Sequence, residues 1–366
     1  MKAIIIGGGV TGCTAAYELS KRGWEVLLFE KENFLGGGCR TFFYGGHPYT
    51  KGPRPFISSD DKYYHYLNNI IPMRKYKLFL KTYVECDNAF YTYPIHMDDV
   101  MMMPDKEKIL DEIKNSPDPA TASNFEEFYK FSVGKTLYSK FIDTYTKKMW
   151  KIESNTMFDD YQWSLKGVAI KTGEKHVAPS MIHAYPDTTD GYNSYFDFCV
   201  KDVRVELGKN IERFDLSEKA VYLDGEKIKA DIIISTTSPD DLMDKCFGEL
   251  SYIGRDFMNL VLPVENVFPD ECTFVHYAND EPFTRVVEYK KLTHHKSSST
   301  FLGIEIPSFS NKLYPSRLMK DRAVAQKYLE ALPPKVYSIG RMGSYQYSCI
   351  AECIMQVLDL IEKEGL

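Results

Sequence analysis

The chain opens on a continuous apolar run that turns at once into glycines: "KAIIIGGGVTGCTAAYELSKRGWEVLLFE". Ala3 to Ile6 read as a short buried strand. Helical spacing follows over Thr14 to Arg22, Gly23 stops it, and Trp24 to Phe29 make a second strand ending on Glu30. The same alternation returns later. "ADIIISTTSPDDL" is a buried strand with a small-residue turn, and "KVYSIG" followed by "CIAECIMQVLDLIEK" gives a last strand, Val336 to Ile339, and a closing helix. Two stretches of different character lie between. "DKEKILDEIKNS" is helical and is stopped by Pro117 and Pro119, and "SNFEEFYKFSVGKTLYSKFIDTYTKKMWK" is a helix with Asn124 as N-cap and Glu127 three residues on. "KLFLKTYVE", "AFYTYPI", "FTRVVEYKKL" and "TFLGIEIP" read as strands. The pattern predicts an α/β fold: a Rossmann-like nucleotide domain, an inserted helical domain and an antiparallel β-sheet domain. The nucleotide domain is expected in pieces, 1–70, 195–245 and 331–366. The mainly helical insertion is expected over 97–168, and the β-sheet substrate domain over 71–96, 169–194 and 246–330.

Composition narrows the picture. A chain of 366 residues has room for two or three domains with real cores, and 44% hydrophobic residues make it globular. A net charge of −6 argues against a nucleic-acid surface. No apolar run is long enough to span a bilayer, and "MKAIIIGGG" is too short for a signal sequence, so a cytoplasmic protein without a membrane partner is expected. Eight cysteines without a CxxC pair read as reduced thiols. The 26 Tyr and 22 Phe suit a large polar ligand pocket, or equally an aromatic-rich core. His294 and His295 lie in a polar loop with no third ligand spaced for a metal, so no metal site is expected.

The first fifty residues carry the most specific chemistry. Gly7, Gly9 and Gly12 form GxGxxG between strand and helix, with Val10 and Thr11 opening the helix. Gly7 allows the tight turn, Gly9 lets backbone approach a pyrophosphate, and Gly12 lets helix and strand pack closely. The helix N-terminus offers free N–H groups to the phosphate. Glu30, followed by Lys31, lies 18 residues after Gly12, where a carboxylate accepts from both ribose hydroxyls. A second glycine run, Gly36, Gly37 and Gly38, resembles the extended FAD signature. Gly340, Arg341 and Gly343 form a strand–GxxG–helix segment near the end of the chain, a second backbone site for an anion. Two glycine sites flanking one sheet favour FAD over NAD.

From this point the residues resemble a family, UDP-galactopyranose mutase. "FLGGG" then "KGPRPF" resembles its glycine pair and flavin-side loop, and "FYTYPI" its aromatic–Pro–Ile segment. "FEEFYKFSVGKTLYSKFIDTYTKKMW" resembles a helical stretch ending in substrate-site aromatics, which implies that role for Tyr145 and Trp150. "DGYNSYF" is similar to its Gly-Tyr turn. "PFTRVVEYK" places Arg285 on the sugar-nucleotide diphosphate, "LYPS" adds Tyr314, and "GRMGSYQY" adds Arg341, Tyr345 and Tyr347. The order and spacing of these matches, more than any single one, carry the resemblance. It implies an isomerase that interconverts the pyranose and furanose forms of a UDP-sugar, UDP-galactose or a modified relative. Reduced FAD would attack the anomeric carbon through N5, giving a flavin–sugar adduct with no net redox change. A nucleotide sugar is the implied partner, a homodimer is compatible with the family, and the setting would be cell-surface polysaccharide synthesis. Covalent catalysis by a cofactor accounts for the lack of a Ser/His/Asp or paired-carboxylate constellation.

The chain also departs from the family. The flavin-side loop reads Gly-Pro-His in relatives, with a second His three residues on; here Arg54 and Ile57 stand there. Arg54 carries a fixed charge where histidine would titrate. It would serve the reduced flavin or a substrate anion; the alternative is an arginine in solvent or paired with an acid. The Asn after Pro-Ile is His96, the second diphosphate Arg has only Lys171 as a basic match, and the acid after the tyrosine signature is Cys349. These three are carried as substrate-side positions, with Cys349 expected to pack at a helix start. The competing readings are an FAD oxidoreductase of the amine-oxidase or desaturase type and a non-catalytic sugar-nucleotide binder. An NAD dehydrogenase stands further off.

Overall fold

The computed structural model describes residues 1–158, 169–269 and 271–366. Its centre is a five-stranded parallel sheet in the order Arg204–Leu207, Glu25–Glu30, Lys2–Ile6, Ile232–Ser235, Val336–Ser338. Alternation along Lys2–Ile6 sends its side chains to two different cores, as a strand buried on both faces requires. Ala3 and Ile5 pack with the helices Val10–Ser20 and Ile350–Glu364. Ile4 and Ile6 pack with Leu27, Phe29, Val221 and Leu223, where a small antiparallel sheet of Arg213–Asp215, Ala220–Leu223 and Glu226–Lys229 covers the other face.

A seven-stranded sheet stands beside it, in the order Tyr314–Pro315, Tyr252–Leu262, Thr300–Ser308, Arg285–Glu288, Cys272–Tyr277, Phe79–Val84, Ala89–Tyr93. Its pairs are antiparallel except one, Cys272–Tyr277 with Phe79–Val84, which runs parallel. The strand Ile182–Pro186, expected in this sheet, pairs instead with Phe56–Ser58 and Met73–Lys75. Ala184 and Tyr185 are fully buried there among Phe56, Tyr192 and Phe196, so this segment belongs to the core of the parallel-sheet side.

The helical insertion is also subdivided. The long helix expected from Asn124 onward breaks at Gly134, whose φ is +85°. Asn124 caps Phe125–Val133 by accepting from the Glu127 N–H at 3.0 Å. The Glu112 carboxylate then caps the restart, accepting from the Thr136 N–H at 2.7 Å and its hydroxyl at 2.9 Å. A wide π turn, Ser139–Asp143, leads into Thr144–Trp150. Residues 159–168, the last ten of the expected insertion, lie outside the described residues. Among the described residues no helix is long and apolar enough to cross a membrane.

Candidate active site

One cavity of about 1490 Å³ runs from the C-terminal edge of the parallel sheet to the seven-stranded sheet. Ligand pockets for a single small molecule usually hold about 300–1,000 Å³, so this one has room for two ligands.

The glycines build its first end. Gly7 has φ +96°, and a Cβ there would stand 2.3 Å from Thr236 Oγ1. Gly12 packs hardest: a Cβ would stand 1.8 Å from the Gly7 carbonyl oxygen. Gly9, the N-cap of Val10–Ser20, differs from both, because a Cβ there would meet no atom within 4 Å. The space in front of that helix end is open cavity, and Val10 and Thr11 line it. Gly37 faces Gly9, its would-be Cβ 3.6 Å from the Gly9 Cα, and Gly36 N–H ties the two turns together by donating to Gly8 O at 2.7 Å. Glu30 is buried at the end of its strand. Its carboxylate accepts from Gly8 N–H at 2.7 Å and Glu32 N–H at 2.9 Å, which fixes it while it lines the cavity beside Lys31. Gly38 and Gly340 line the cavity too; Gly340 has φ +81°. Arg341 is aimed by a fork from Nε and Nη2 to the Ser348 carbonyl at 2.8 and 2.6 Å. Gly343 has a packing role instead: a Cβ there would stand 3.0 Å from Ser235 O.

A further wall carries no signal in the sequence. Asn210, Ile211, Arg213 and Phe214 line the cavity beyond Glu30, held there by Lys209 N–H donating to Glu30 O at 3.0 Å. No glycine fingerprint or charge pattern marks that stretch.

The second end is cationic and aromatic. Arg285 and Glu305 are cross-strand partners, and Nε and Nη2 of the arginine meet the carboxylate at 2.8 and 2.6 Å. Burial opposes the charge on Arg285, and Glu305 outweighs it, so its pKa rises well above the ordinary value. Arg54 is not in solvent, and among the described residues it is not paired with an acid. It is buried, with Nε on Gly38 O at 2.9 Å and Nη2 on Lys51 O at 2.6 Å, so it bridges the second glycine turn and its own loop. Tyr145, Tyr314 and Tyr347 line the same region, with Tyr314 and Tyr347 rings 5.4 Å apart. Arg255 was not anticipated. It is 1% exposed behind the Tyr314 ring, its guanidinium carbon 4.7 Å from the ring centre. An arginine at an inward position of "YIGRDFM" was the available signal.

Cys349 and Ile57 stand on the wall between the two ends. Cys349 Sγ donates to Ile57 O at 3.3 Å, and its backbone N–H donates to Glu352 at 2.6 Å in a capping box that starts Ile350–Glu364. Burial, then Glu352, pushes the thiol up to about 12, so it is a neutral thiol at physiological pH.

Four expected substrate positions are placed elsewhere. Tyr345 turns away at φ +52° and donates its hydroxyl to Ser251 O at 2.6 Å, in a cluster with Tyr252 and Tyr328. Trp150 packs on Phe158 and meets the site through Tyr347, at 6.3 Å between rings. His96 is buried as the N-cap of Met97–Val100, accepting from Asp98 N–H at 3.2 Å. Lys171 bridges the same turn through its backbone, donating to Ile95 O at 2.8 Å. These bonds tie both residues into the start of the helical insertion.

A family model described as UDP-galactopyranose mutase matches residues 140–347, over half of the chain. The chain belongs to the UDP-galactopyranose mutase family. The mutase match takes in Tyr145, Arg255, Arg285, Tyr314, Arg341 and Tyr347, and a second model, for an NAD(P)-binding Rossmann-like domain, matches residues 5–70. Two curated mutases are similar over almost the whole length. The dTDP-fucopyranose mutase of Escherichia coli is 23% identical over 98% of this chain and 97% of its own. The probable UDP-galactopyranose mutase of Klebsiella pneumoniae is 21% identical over 94% of this chain and 89% of its own. The crystal structure of a reduced UDP-galactopyranose mutase shares the fold, with a TM-score of 0.86 at 16% identity over all of this chain and 93% of that one.

Proposed function

We propose that the protein interconverts the pyranose and furanose forms of a UDP-linked sugar, galactose or a modified relative, on a bound FAD. The observation that carries this is the single cavity with two differently built ends. One end has the glycine turns and open helix N-terminus that suit a dinucleotide; the other has Arg54, Arg285, Tyr314 and Tyr347 converging where a diphosphate would lie. FAD fits the first end: Gly9 leaves room for a pyrophosphate, and Arg341 and Gly340 add a second anchor across the sheet. The segments 1–70, 195–245 and 331–366 would form the FAD domain.

When bound and reduced, the flavin supplies a nucleophile, N5, for the anomeric carbon. The chain's residues do the rest. Arg285 offers its remaining guanidinium N–H groups to the diphosphate, with Glu305 holding the fork in place. Tyr145 and Tyr347 donate hydroxyls without adding charge. Arg54 couples the two ends, because its anchor on Gly38 O makes the cofactor turn part of the diphosphate wall. The apolar wall of Ile57 and the internally bonded Cys349 supports a sugar lacking one hydroxyl as readily as galactose.

The test is mass spectrometry of the released cofactor. Purified protein is reduced with dithionite, offered UDP-galactopyranose or a dTDP-linked 6-deoxyhexose, and treated with cyanoborohydride. FAD carrying the mass of one sugar is expected. A nicotinamide dinucleotide, or FAD unchanged by every sugar, would contradict the proposal.

A further inference from the structure

The second end of the cavity holds more positive charge than its carboxylates balance. Arg285 has Glu305. Arg54 and Arg255 have no carboxylate in contact among the described residues. Among the described residues Arg54 bonds only to Gly38 O and Lys51 O, and its charge acts on the Tyr314 phenol. Arg255 bonds to Gly254 O at 2.6 Å, to Met149 O at 3.3 Å and to the Met149 sulfur, and its buried Nε has no partner among the described residues. A buried charge without a counter-ion is costly. Both guanidiniums converge on one side chain, Tyr314. Arg341 lies over the same ring at 5.5 Å, Tyr347 packs against it, and Lys312, two residues away, is already committed to Asp240 and Asp241.

We propose that at alkaline pH Tyr314 is a counter-ion of this cluster in the empty site: its phenol releases a proton to solvent when no diphosphate is bound and takes one up when a nucleoside diphosphate arrives. The excess positive charge is then reduced in both states. Empty, the phenolate and Glu305 face Arg54, Arg255 and Arg285. Occupied, the diphosphate supplies the negative charge, and a neutral phenol can donate to one of its oxygens instead of repelling it. Burial pushes Tyr314 up, and Arg54, Arg285 and Arg255 outweigh it, bringing the phenol down to about 8. Tyr145, in the same cavity, goes the other way, to about 12. The sign follows. Below about pH 8 the phenol is protonated in both states, and binding is indifferent to pH. Above it, affinity for the diphosphate falls by about tenfold per pH unit, until the bound phenol itself ionises.

This inference rests on the diphosphate reading above, and the experiment separates the two. Oxidised holoenzyme, whose flavin is neutral, is titrated from neutral to alkaline pH while the near-ultraviolet phenolate band is followed. UDP binding is measured calorimetrically at about pH 9 in two buffers of different ionisation enthalpy. The expected result is one phenol ionising near pH 8, absent from Tyr314→Phe, and uptake of close to one proton per UDP. Arg255→Met should move that ionisation back toward the ordinary phenol value, which keeps the test open should Tyr314→Phe fail to fold. No phenol ionising below about pH 10, or the same ionisation in Tyr314→Phe, would overturn the proposal. UDP binding without proton uptake would overturn the exchange alone. Failure of both UDP and inorganic pyrophosphate to bind would overturn the diphosphate reading and the exchange with it.

Discussion

Arg285 stabilises the fold through Glu305 and, under the proposed function, also faces the diphosphate. Two of its N–H groups are spent on Glu305, which is 1% exposed and sits directly across the strand pair. Arg285→Ala therefore leaves a buried carboxylate unpaired. It should cost about 3–5 kcal/mol of stability, read as a shift of the denaturant midpoint, and weaken UDP binding by about 1.5–3 kcal/mol through loss of a charge-assisted contact. Unchanged UDP affinity in a folded variant would remove Arg285 from the diphosphate site. Arg54 was visible in the sequence as an anomaly between two prolines, but its partners were not. Both are backbone carbonyls, one of them sixteen residues away, and no side-chain pattern encodes them. Tyr345 and Tyr347 were indistinguishable as motif tyrosines. A single left-handed residue, Tyr345 at φ +52°, sends one into a neighbouring core and leaves the other in the cavity.

The glycine elements separate folding from binding. Gly9 and Gly12 belong to one turn, yet a Cβ meets nothing at the first and a carbonyl oxygen at 1.8 Å at the second. Gly9→Val should give protein with an unchanged unfolding profile and little flavin colour. Gly12→Ala should lose about 1–3 kcal/mol by overpacking the helix against the strand, read in the same denaturant titration. Full cofactor content in Gly9→Val would contradict the phosphate-loop reading. The strand–helix–strand unit could be read from the sequence because its glycines, apolar runs and terminal acid are all local. The break at Gly134 was less readable. A helical pattern runs through it, and the deciding partner, Glu112, comes from a different helix. Ile182–Pro186 shows the same limit, since an apolar–aromatic strand does not announce which of two sheets will bury it.

At the scale of the molecule, two sheets of different kind meet across one cavity, and the fold allots a task to each. The parallel sheet gathers glycine turns at one edge, and the seven-stranded sheet presents Tyr314 and Arg255 from its first two strands and Arg285 from its fourth. Rossmann-type halves serve many chemistries, so the function is argued from the second end rather than the first. The central claim is that this arrangement changes the ring size of a nucleotide sugar without net oxidation. It is tested most directly by incubating the dithionite-reduced protein with UDP-galactofuranose and, separately, with the furanose form of a dTDP-linked 6-deoxyhexose, and resolving the products by anion-exchange chromatography. The predicted result is conversion of at least one of them to the pyranose form by the reduced protein and not by the oxidised one. Recovery of both substrates unchanged, from protein that holds reducible FAD and binds UDP, would contradict it.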